Sequence, residues 1–448
     1  MKTINITFVL VVPLSVLPGR GIYAQDFSDA ERPSEMSHLT APAVQRSKSS
    51  SDSVTAWPKK LRDRRTWERI VSFPGDLVYF PVGLFFDGLE ASIAFVDESK
   101  LVPKAVDFLT CDDGSCGALP TYTSQYGAGF KFFQKGLLSE ESKLTLALTA
   151  GQRGRQRYQL RLSGVRFFGG SVFSEFLGRY RFLSDESFFV LRPNSRFVKE
   201  TNFAHEQATV EAALGANLHD RFRVNAKFGF DLNNILEGRD KRLDSATDLP
   251  QGELPPGIED QVRIVRLEIS GYRDSKNRPG NPSGGTEALV QAGVFVETGD
   301  SQYRFWKVSG DLTRQIHLFY GRVLVVRVAG EVTEPISNKG IPFYYLSKLG
   351  RHETIRGFRR GRFRDRDMLL GVVEYRYPIQ HPIRHRWADA LLFVDAGKVS
   401  SDIFGDSSGD GFHVSYGAGI RVWSRRGLIA RLEVGMSSDG FRVHFGLN

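Results

Sequence analysis

The clearest pattern in the chain is an alternation of apolar and polar residues that runs from about Tyr122 to the C-terminus. In His413–Trp423, every second position is apolar: Val414, Tyr416, Ala418, Ile420 and Val422. The positions between them hold Ser415, Gly417, Gly419 and Arg421. Because successive side chains of a strand point to opposite faces, this period predicts strands with one apolar and one polar face.

Fifteen segments show this alternation. They are Tyr126–Gln134, Lys143–Ala150, Arg157–Val165, Glu175–Leu183, Gln207–Asn217, Arg221–Leu232, Gln261–Tyr272, Ala288–Thr298, Tyr303–Leu312, Val323–Val332, Leu370–Tyr377, Leu391–Gly397, His413–Trp423, Leu428–Met436 and Phe441–Leu447. Single-chain bacterial outer-membrane barrels have even strand numbers, which raises the count to 16. We place the missing strand between Val165 and Phe203.

The polarity of the two faces indicates a membrane protein. An apolar outside with a polar or glycine-bearing inside is what a lipid environment demands of a closed sheet. We predict an all-β membrane protein, a 16-stranded antiparallel transmembrane β-barrel with a lumen-inserted loop and a short N-terminal amphipathic helical segment. The alternative, a soluble two-sheet sandwich, would expose the glycine- and arginine-bearing face on five consecutive strands, which disfavours it.

Loop lengths predict the topology of this barrel. Long connections are typical of the extracellular side and short turns of the periplasmic side. The long ones are Gly238–Glu259, Thr333–Arg366 and Ser400–Gly411, and a short one is Ser424–Gly427. Strand parity places the short turn at Ser437–Gly440 outside, and an even strand count leaves both chain ends in the periplasm.

The segment before the barrel divides into three parts. Residues 1–24 have a basic start and a short apolar core, which predicts a secretory signal peptide rather than a spanning helix. Residues 25–58 are rich in Ser, Pro and mixed charge, and we predict a disordered linker. Residues 59–121 form a basic and amphipathic periplasmic segment, with Lys59–Ile70 its most basic part. A helix near Phe85–Val96 would lie on the membrane or at the barrel mouth; a buried helix of a small soluble domain is the alternative.

Charge and cysteine content narrow the environment. The net charge of +9 falls to about +7 without Lys2 and Arg20 of the signal peptide, which fits a polar lumen or anionic lipid headgroups. Nucleic acid is a poor partner for a secreted chain. Cys111 and Cys116 are the two cysteines, and a local disulfide is the first interpretation in an exported protein. Free thiols come second, and a metal site lacks neighbouring histidines.

An arginine-dense loop, Gly350–Asp367, precedes two strands that each carry one carboxylate. Glu374 and Asp395 fall on the polar-facing positions of those strands, where a buried carboxylate is costly unless it is paired. We predict that Arg356 pairs with both, because a planar guanidinium can engage two carboxylates. Gly357 would let the chain turn tightly beside it.

Three motifs in this region resemble the BamA/TamA-type outer-membrane barrel superfamily, also called the bacterial surface antigen family. They are IRGF at Ile355–Phe358, EYRYPI beginning at Glu374, and FVDAG at Phe393–Gly397. The resemblance covers about Tyr122 to Asn448. It implies that Arg356, Gly357 and Phe358 belong to a loop folded into the lumen. It further implies that Arg356 contacts Glu374 and Asp395 there, in the strand motif that ends at Gly397.

Most members of that superfamily carry periplasmic POTRA modules of about 75 residues before the barrel. Fewer than 100 residues separate the predicted signal from the predicted start of the barrel at Tyr122, and they lack the β-α-α-β-β pattern. The chain therefore resembles the subgroup without POTRA modules. The end, Phe445-Gly446-Leu447-Asn448, departs from the terminal aromatic residue that is common in outer-membrane barrels.

The sequence does not indicate an enzyme, a cofactor or a metal site. It has no G-x-S-x-G elbow, and its histidines lack metal-ligand spacing. Ser415 and His413 share a face, but that face is the lumen rather than the lipid. The loop Asp402–Gly411 could hold calcium, although a solvated turn is the better interpretation.

Two functions remain open. The first is an insertase or translocase of the bacterial outer membrane, in which the seam between Tyr126–Phe130 and Phe441–Leu447 opens sideways. Gly127 and Gly129 would weaken pairing at that seam. The second is a structural or passive-transport barrel. The expected partners are outer-membrane lipids and lipopolysaccharide, with client barrel proteins as further candidates.

Overall fold

The computed structural model describes residues 109–123, 125–189, 200–278, 281–299, 303–383, 386–405, 411–424 and 428–447. The predicted signal peptide, linker and amphipathic helix all lie outside the described residues, as does most of the predicted periplasmic segment.

Antiparallel strands make up nearly all of the described chain. They are β1 (Cys116–Thr123), β2 (Gly127–Lys135), β3 (Lys143–Ala150), β4 (Gln156–Phe167), β5 (Val172–Phe189), β6 (Glu200–His219), β7 (Phe222–Glu237), β8 (Val262–Asp274), β9 (Gly285–Glu297), β10 (Arg304–His317), β11 (Val323–Pro335), β12 (Ser347–Leu349), β13 (Phe363–Asp365), β14 (Asp367–Ile383), β15 (Arg386–Ser400), β16 (His413–Ser424), β17 (Leu428–Ser437) and β18 (Gly440–Leu447). Short 3₁₀ turns occupy Gln152–Gly154, Phe168–Gly170, Ala246–Asp248, Phe319–Gly321 and Phe343–Tyr345.

Sixteen strands form one sheet, in which each strand pairs with the next of these sixteen along the chain. β11 pairs with β14, because β12 and β13 are not part of this sheet. The remaining two, β12 and β13, form a separate hairpin inside the long loop between β11 and β14. The predicted 16-stranded antiparallel barrel with a lumen-inserted loop is confirmed. None of the helices in the described ranges has the length and apolar character to cross a membrane.

The side-chain alternation of the strands has the predicted sense. On β15 and β16, Val394 and Tyr416 are 50% and 55% exposed on the outer face. Asp395 and Ser415, one residue away from each, are fully buried on the inner face. Apolar side chains therefore face lipid and polar side chains face the lumen, as a membrane barrel requires.

The sixteenth strand is not where the sequence pattern suggested. The described residues between Val165 and Phe203 hold no additional strand, because β5 and β6, 18 and 20 residues long, take up most of them. The missing strand is β1, which precedes the first predicted strand. Its alternation is weak and it contains Pro120, which a strand tolerates at the edge of a sheet.

The edge position of β1 also corrects the predicted seam. Gly127 and Gly129 lie on β2, which pairs on both sides, with β1 and β3. The two strands that end the sheet are β1 and β18, and no ladder joins them among the described residues. Glycines on β2 therefore do not border the seam.

The two longest connections lie at the same end of the barrel. Residues 238–261 and 336–366 connect strands at this end, which we assign to the cell exterior. The turn between β17 and β18 lies at this end too, because the strands alternate in direction. The N-terminus of β1 and the C-terminus of β18 accordingly lie at the opposite, periplasmic end.

Candidate functional site

The candidate site is the loop of residues 336–366, termed the plug loop here, and the lumen wall around it. The tip of the loop, residues 350–362, is folded by its own hydrogen bonds. The amide of Arg351 donates to the carbonyl of Phe358 at 3.0 Å, and the hydroxyl of Thr354 donates to the carbonyl of Gly350 at 3.0 Å. Gly350 has a φ of +119°, and a Cβ there would lie 1.8 Å from the carbonyl oxygen of Arg359. Only glycine fits this position.

The guanidinium of Arg356 lies buried between two wall strands. Its Nη2 and Nε donate to the two carboxylate oxygens of Asp395 at 2.7 and 3.0 Å, and its backbone amide donates to the same group at 3.0 Å. Its Nη1 donates to Glu374 at 2.9 Å and lies 3.7 Å from Glu433. The group also stacks on Phe393, with 3.4 Å between its central carbon and the ring centroid. We call these contacts the arginine clamp.

Further charged groups complete the clamp. Arg421 donates to Glu374 at 2.9 Å and to Glu433 at 2.6 Å, and Arg376 donates to Glu374 at 2.7 Å. Three buried carboxylates thus face three guanidinium groups within a few ångströms. Burial alone would lower the pKa of Arg356, but hydrogen bonds and charge from Asp395, with Glu374 and Glu433, hold that pKa above its usual value.

Gly357 lies in a tight turn, in which the amide of Phe358 donates to the carbonyl of Ile355 at 3.3 Å, and it also permits a close approach to the wall. A Cβ there would come within 2.7 Å of the carbonyl oxygen of Met436 and of the Cβ atoms of Ser415 and Ser437. The hydroxyl of Ser437 donates to the carbonyl of Gly357 at 2.8 Å. The loop backbone therefore lies directly against β16 and β17, which adds a second reason for glycine here beside the turn expected from the sequence.

Phe358 and Gly397 lie in the same packed region. Phe358 is 1% exposed and its ring is 5.0 Å from that of Phe363 in β13. A Cβ on Gly397 would meet a methyl group of Leu349 at 2.8 Å, so this glycine admits the hairpin against β15. Phe363 in turn stacks on His413 of β16, with 3.5 Å between the ring centroids.

The plug loop is fixed to the opposite wall by aromatic side chains, a contact that sequence analysis missed. Phe343 lies 5.3 Å from Phe188 and 5.0 Å from Phe203 between ring centroids. Tyr345 lies 5.3 Å from Phe305 by the same measure. We call Phe343, Tyr344 and Tyr345 the aromatic anchor. It is part of the largest buried apolar cluster described, which also holds Ile258 and Ile341.

The polar groups next to the aromatic anchor are hydrogen-bonded to side chains of the barrel wall. The hydroxyl of Tyr345 accepts from Asn233 at 3.1 Å and donates to Asp231 at 3.3 Å. Asp231 also accepts from Arg266 at 3.0 Å, and Arg266 is 2% exposed and hydrogen-bonded to Glu211 and Glu268 as well. The anchor therefore rests on a second buried charge network, built on β6–β8.

Lys348 lies between the two attachments, on β12. Burial, followed by the charge of Arg364, lowers its pKa to about 7 despite the favourable charge of Glu186. This lysine is therefore the part of the plug loop whose charge changes near neutral pH.

The other predicted residues are placed as follows. A disulfide joins Cys111 to Cys116, the first residue of β1, with 5.3 Å between their Cα atoms. Within the described ranges, no three potential metal ligands cluster. The carboxylate of Asp402 accepts from the amides of Phe404 and Gly405 at 3.0 and 2.8 Å, as in an ordinary polar turn. Ser415 donates to Asp395 at 3.1 Å in the lumen.

Comparison with known proteins agrees with this geometry. The Omp85 superfamily domain matches residues 125–439, and the chain belongs to that superfamily. It is a β-barrel of the bacterial outer membrane, of the general class that serves assembly and translocation there. The predicted resemblance is confirmed. The described residues hold no POTRA module, and the segment before residue 109 lies outside them.

Solved structures share the fold at low identity. BamA from Haemophilus ducreyi lacking POTRA domains 1–3 is 15% identical with a TM-score of 0.51, over 73% of this chain and 68% of that one. CdiB from Escherichia coli is 11% identical with a TM-score of 0.47, over 73% and 61%. CdiB from Acinetobacter baumannii is 11% identical with a TM-score of 0.46, over 74% and 56%. Comparison with curated protein sequences finds no match.

Proposed function

We propose that this barrel assists the insertion or translocation of polypeptides at the outer membrane, and that it does so at the seam between β1 and β18. The observation that carries the proposal is the contrast between a firmly attached plug loop and two strand edges that are unpaired in the described part of the chain. The plug loop is attached to both sides of the lumen, whereas β1 and β18 have no ladder between them among the described strands.

The attached plug loop and the unpaired strand edges both affect the route that a client polypeptide can take. A direct path through the lumen would require breaking the arginine clamp, whose buried charges are costly to separate. An edge strand, in contrast, presents unpaired backbone groups that can accept another strand. Both edges are short, eight residues each, so that displacing them disrupts few hydrogen bonds. Client barrel proteins are accordingly the partners we propose.

A plug-locked variant tests the route. Phe363 and His413 stack face to face, one on the plug loop and one on the wall, and Phe363→Cys with His413→Cys would join them by a disulfide. We expect the oxidised, locked barrel in liposomes to speed client insertion as well as the wild type does. Addition of a reductant gives the matched unlocked control.

The alternative is a structural or passive-transport barrel. It predicts that neither locked nor unlocked protein accelerates insertion, while the unlocked form carries solute or current. Loss of client insertion on locking, restored by reductant, would instead show that clients need the lumen. Either result would contradict the seam proposal.

A further inference from the structure

A groove of about 410 Å³ lies on the lipid-facing side of the barrel wall. Its lining includes Val290, Val308, Gly310, Gly330, Leu369 and Phe404. Val290, Val308 and Leu369 are 60%, 40% and 38% exposed and belong to the outer face of β9, β10 and β14. The groove therefore opens on the outer face of the wall. Two of its lining residues, Glu331 and Met368, also contact the plug loop on the lumen side of the same strands.

Two paired glycines create the groove. Gly310 of β10 is directly opposite Gly330 of β11, with Val290 and Leu369 as their partners on the flanking strands. Neither glycine has a positive φ, and an added Cβ would come no nearer than 4.0 Å at Gly310 and 3.7 Å at Gly330. The backbone thus does not require glycine at either position, and what their small size provides is space.

One side of the groove is held in place by a buried carboxylate. Asp367, at the start of β14, is 1% exposed and accepts from the amide of Ile403 at 3.0 Å and from that of Thr333 at 3.2 Å. This fixes the loop after β15 against the outer wall. Phe404 follows, 83% exposed, with its amide hydrogen-bonded to Asp402. Phe404, exposed on a turn that is held in place, therefore extends the apolar surface of the groove.

The strand above the groove places a positive charge at its outer end. Arg304, Trp306, Val308 and Gly310 share the outer face of β10, and Arg304 is exposed. Six residues at about 3.4 Å each, on a strand tilted by about 40°, descend roughly 15 Å, which is about half of a bilayer's hydrocarbon core. Arg304 therefore lies about 15 Å nearer the exterior end of the barrel than Gly310. From the exterior end inward, this face of β10 therefore holds a cation (Arg304), an aromatic side chain (Trp306), an apolar side chain (Val308) and the groove at Gly310.

We propose that this groove binds one acyl chain of lipid A, the phosphorylated anchor of lipopolysaccharide, with Arg304 facing a phosphate. The groove opens toward the end of the barrel that carries the long loops, which is the side of the outer leaflet. An acyl chain fills a narrow apolar groove, and the guanidinium of Arg304, about 15 Å nearer the exterior on the same strand face, suits the phosphate at the head of that lipid. The site is independent of the route that clients take.

The expected affinity is modest for a physical reason. An acyl chain that enters the groove leaves hydrocarbon rather than water, so the hydrophobic effect contributes little. Selectivity must come from packing against the fixed wall and from the contact between Arg304 and a phosphate. We therefore expect differences of about tenfold in lipid occupancy between variants, which corresponds to about 1.4 kcal/mol.

Bound lipid A can be counted by native mass spectrometry of the full chain in phosphatidylcholine nanodiscs with added lipid A. The test variant is Gly310→Leu with Gly330→Leu, which fills the groove without a backbone clash. Gly178→Leu on β5 is the matched control, since a Cβ there meets nothing within 4 Å. We expect one retained lipid A for the wild type and the control, and about tenfold lower occupancy for the filled variant.

Two further variants keep the test decisive should the filled variant fold poorly. Phe404→Ser changes an exposed side chain and should lower lipid A occupancy severalfold. Arg304→Gln should lower it severalfold for lipid A and leave phosphatidylethanolamine unaffected. Equal occupancy in the wild type, the filled variant and Phe404→Ser would overturn the proposal. Retention of phosphatidylethanolamine as strong as that of lipid A would overturn it too.

Discussion

Arg356 and Asp395 are joined by three hydrogen bonds of 2.7 to 3.0 Å, two from the guanidinium and one from the backbone amide. The two residues are 39 positions apart, one at the tip of the plug loop and one in the middle of β15. The carboxylate is fully buried and the arginine is 3% exposed. A loop that crosses the lumen is thereby tied to the wall by charge-assisted bonds.

Removal of the guanidinium should therefore destabilise the barrel. Arg356→Ala leaves Asp395 buried without its main partner, and loss of one member of a buried ion pair costs about 3–5 kcal/mol. We expect a lower midpoint in heat- or urea-induced unfolding in detergent. Arg359→Ala is the control, because Arg359 lies on the same loop but its side chain is 47% exposed, and an ion pair at such a site, here with Glu200, contributes little to stability. Equal midpoints for Arg356→Ala and the wild type would rule out the clamp.

The pairing can be measured separately from general damage. Asp395→Asn should also lower the free energy of unfolding, and the double variant with Arg356→Ala should lose less than the sum of the two single losses. Contacting residues show interaction energies of about 0.5–3 kcal/mol in such cycles. Strict additivity in the double-mutant cycle would show that the two groups do not stabilise each other.

Lys348 should make the attachment of the plug loop depend on pH. Its pKa is about 7 in the folded loop and near 10.5 in the unfolded chain. Below pH 7 the lysine is charged in both states, so the full penalty for burying its charge is present there. As pH rises from 7 to 10.5 the unfolded chain holds more protons, and the folded loop gains stability.

The measurement for this prediction is protease cleavage of the plug loop in folded protein at pH 6 and pH 9. We expect slower cleavage at pH 9 in the wild type, and no such difference in Lys348→Met. A pH difference of the same size in that variant would assign the effect to another group.

The aromatic anchor should hold the other side of the plug loop. Phe343→Ala removes a fully buried ring and should cost about 3–5 kcal/mol locally. Tyr345→Phe keeps the ring and removes only the hydroxyl that bonds Asn233 and Asp231, so about 1–3 kcal/mol is expected. Hydrogen exchange of the plug-loop amides checks both. Unchanged protection in Phe343→Ala would show that the anchor does not secure the loop.

The strand architecture was predictable because lipid imposes a simple rule on sequence. Outward positions must be apolar, so the alternation around Val394 and around Tyr416 predicts their strands. The polar positions that alternate with these apolar residues predict the lumen-facing side. β1 could not be found in this way. Pro120 interrupts its pattern, and its place in the sheet follows from pairing with β2 rather than from its own residues.

The candidate site was only partly predictable. Glu374 and Asp395 each lie on an alternating strand beside an arginine-rich loop, so charge burial alone suggests Arg356 as their partner. Glu433 and Arg421 take part through the register of β16 and β17, which no local pattern encodes. The aromatic anchor was missed because Phe343–Tyr345 lies in a loop without period, and its partners are about 40 to 155 residues away.

The central claim is that the plug loop closes the lumen by attachment to both walls. Conductance of single barrels in planar bilayers tests it most directly, with the wild type compared with Arg356→Ala, Phe343→Ala and the two combined. We predict a closed wild type, brief openings in the single variants and a steady open level in the double variant. A wild type that already conducts at the level of the double variant would contradict the claim.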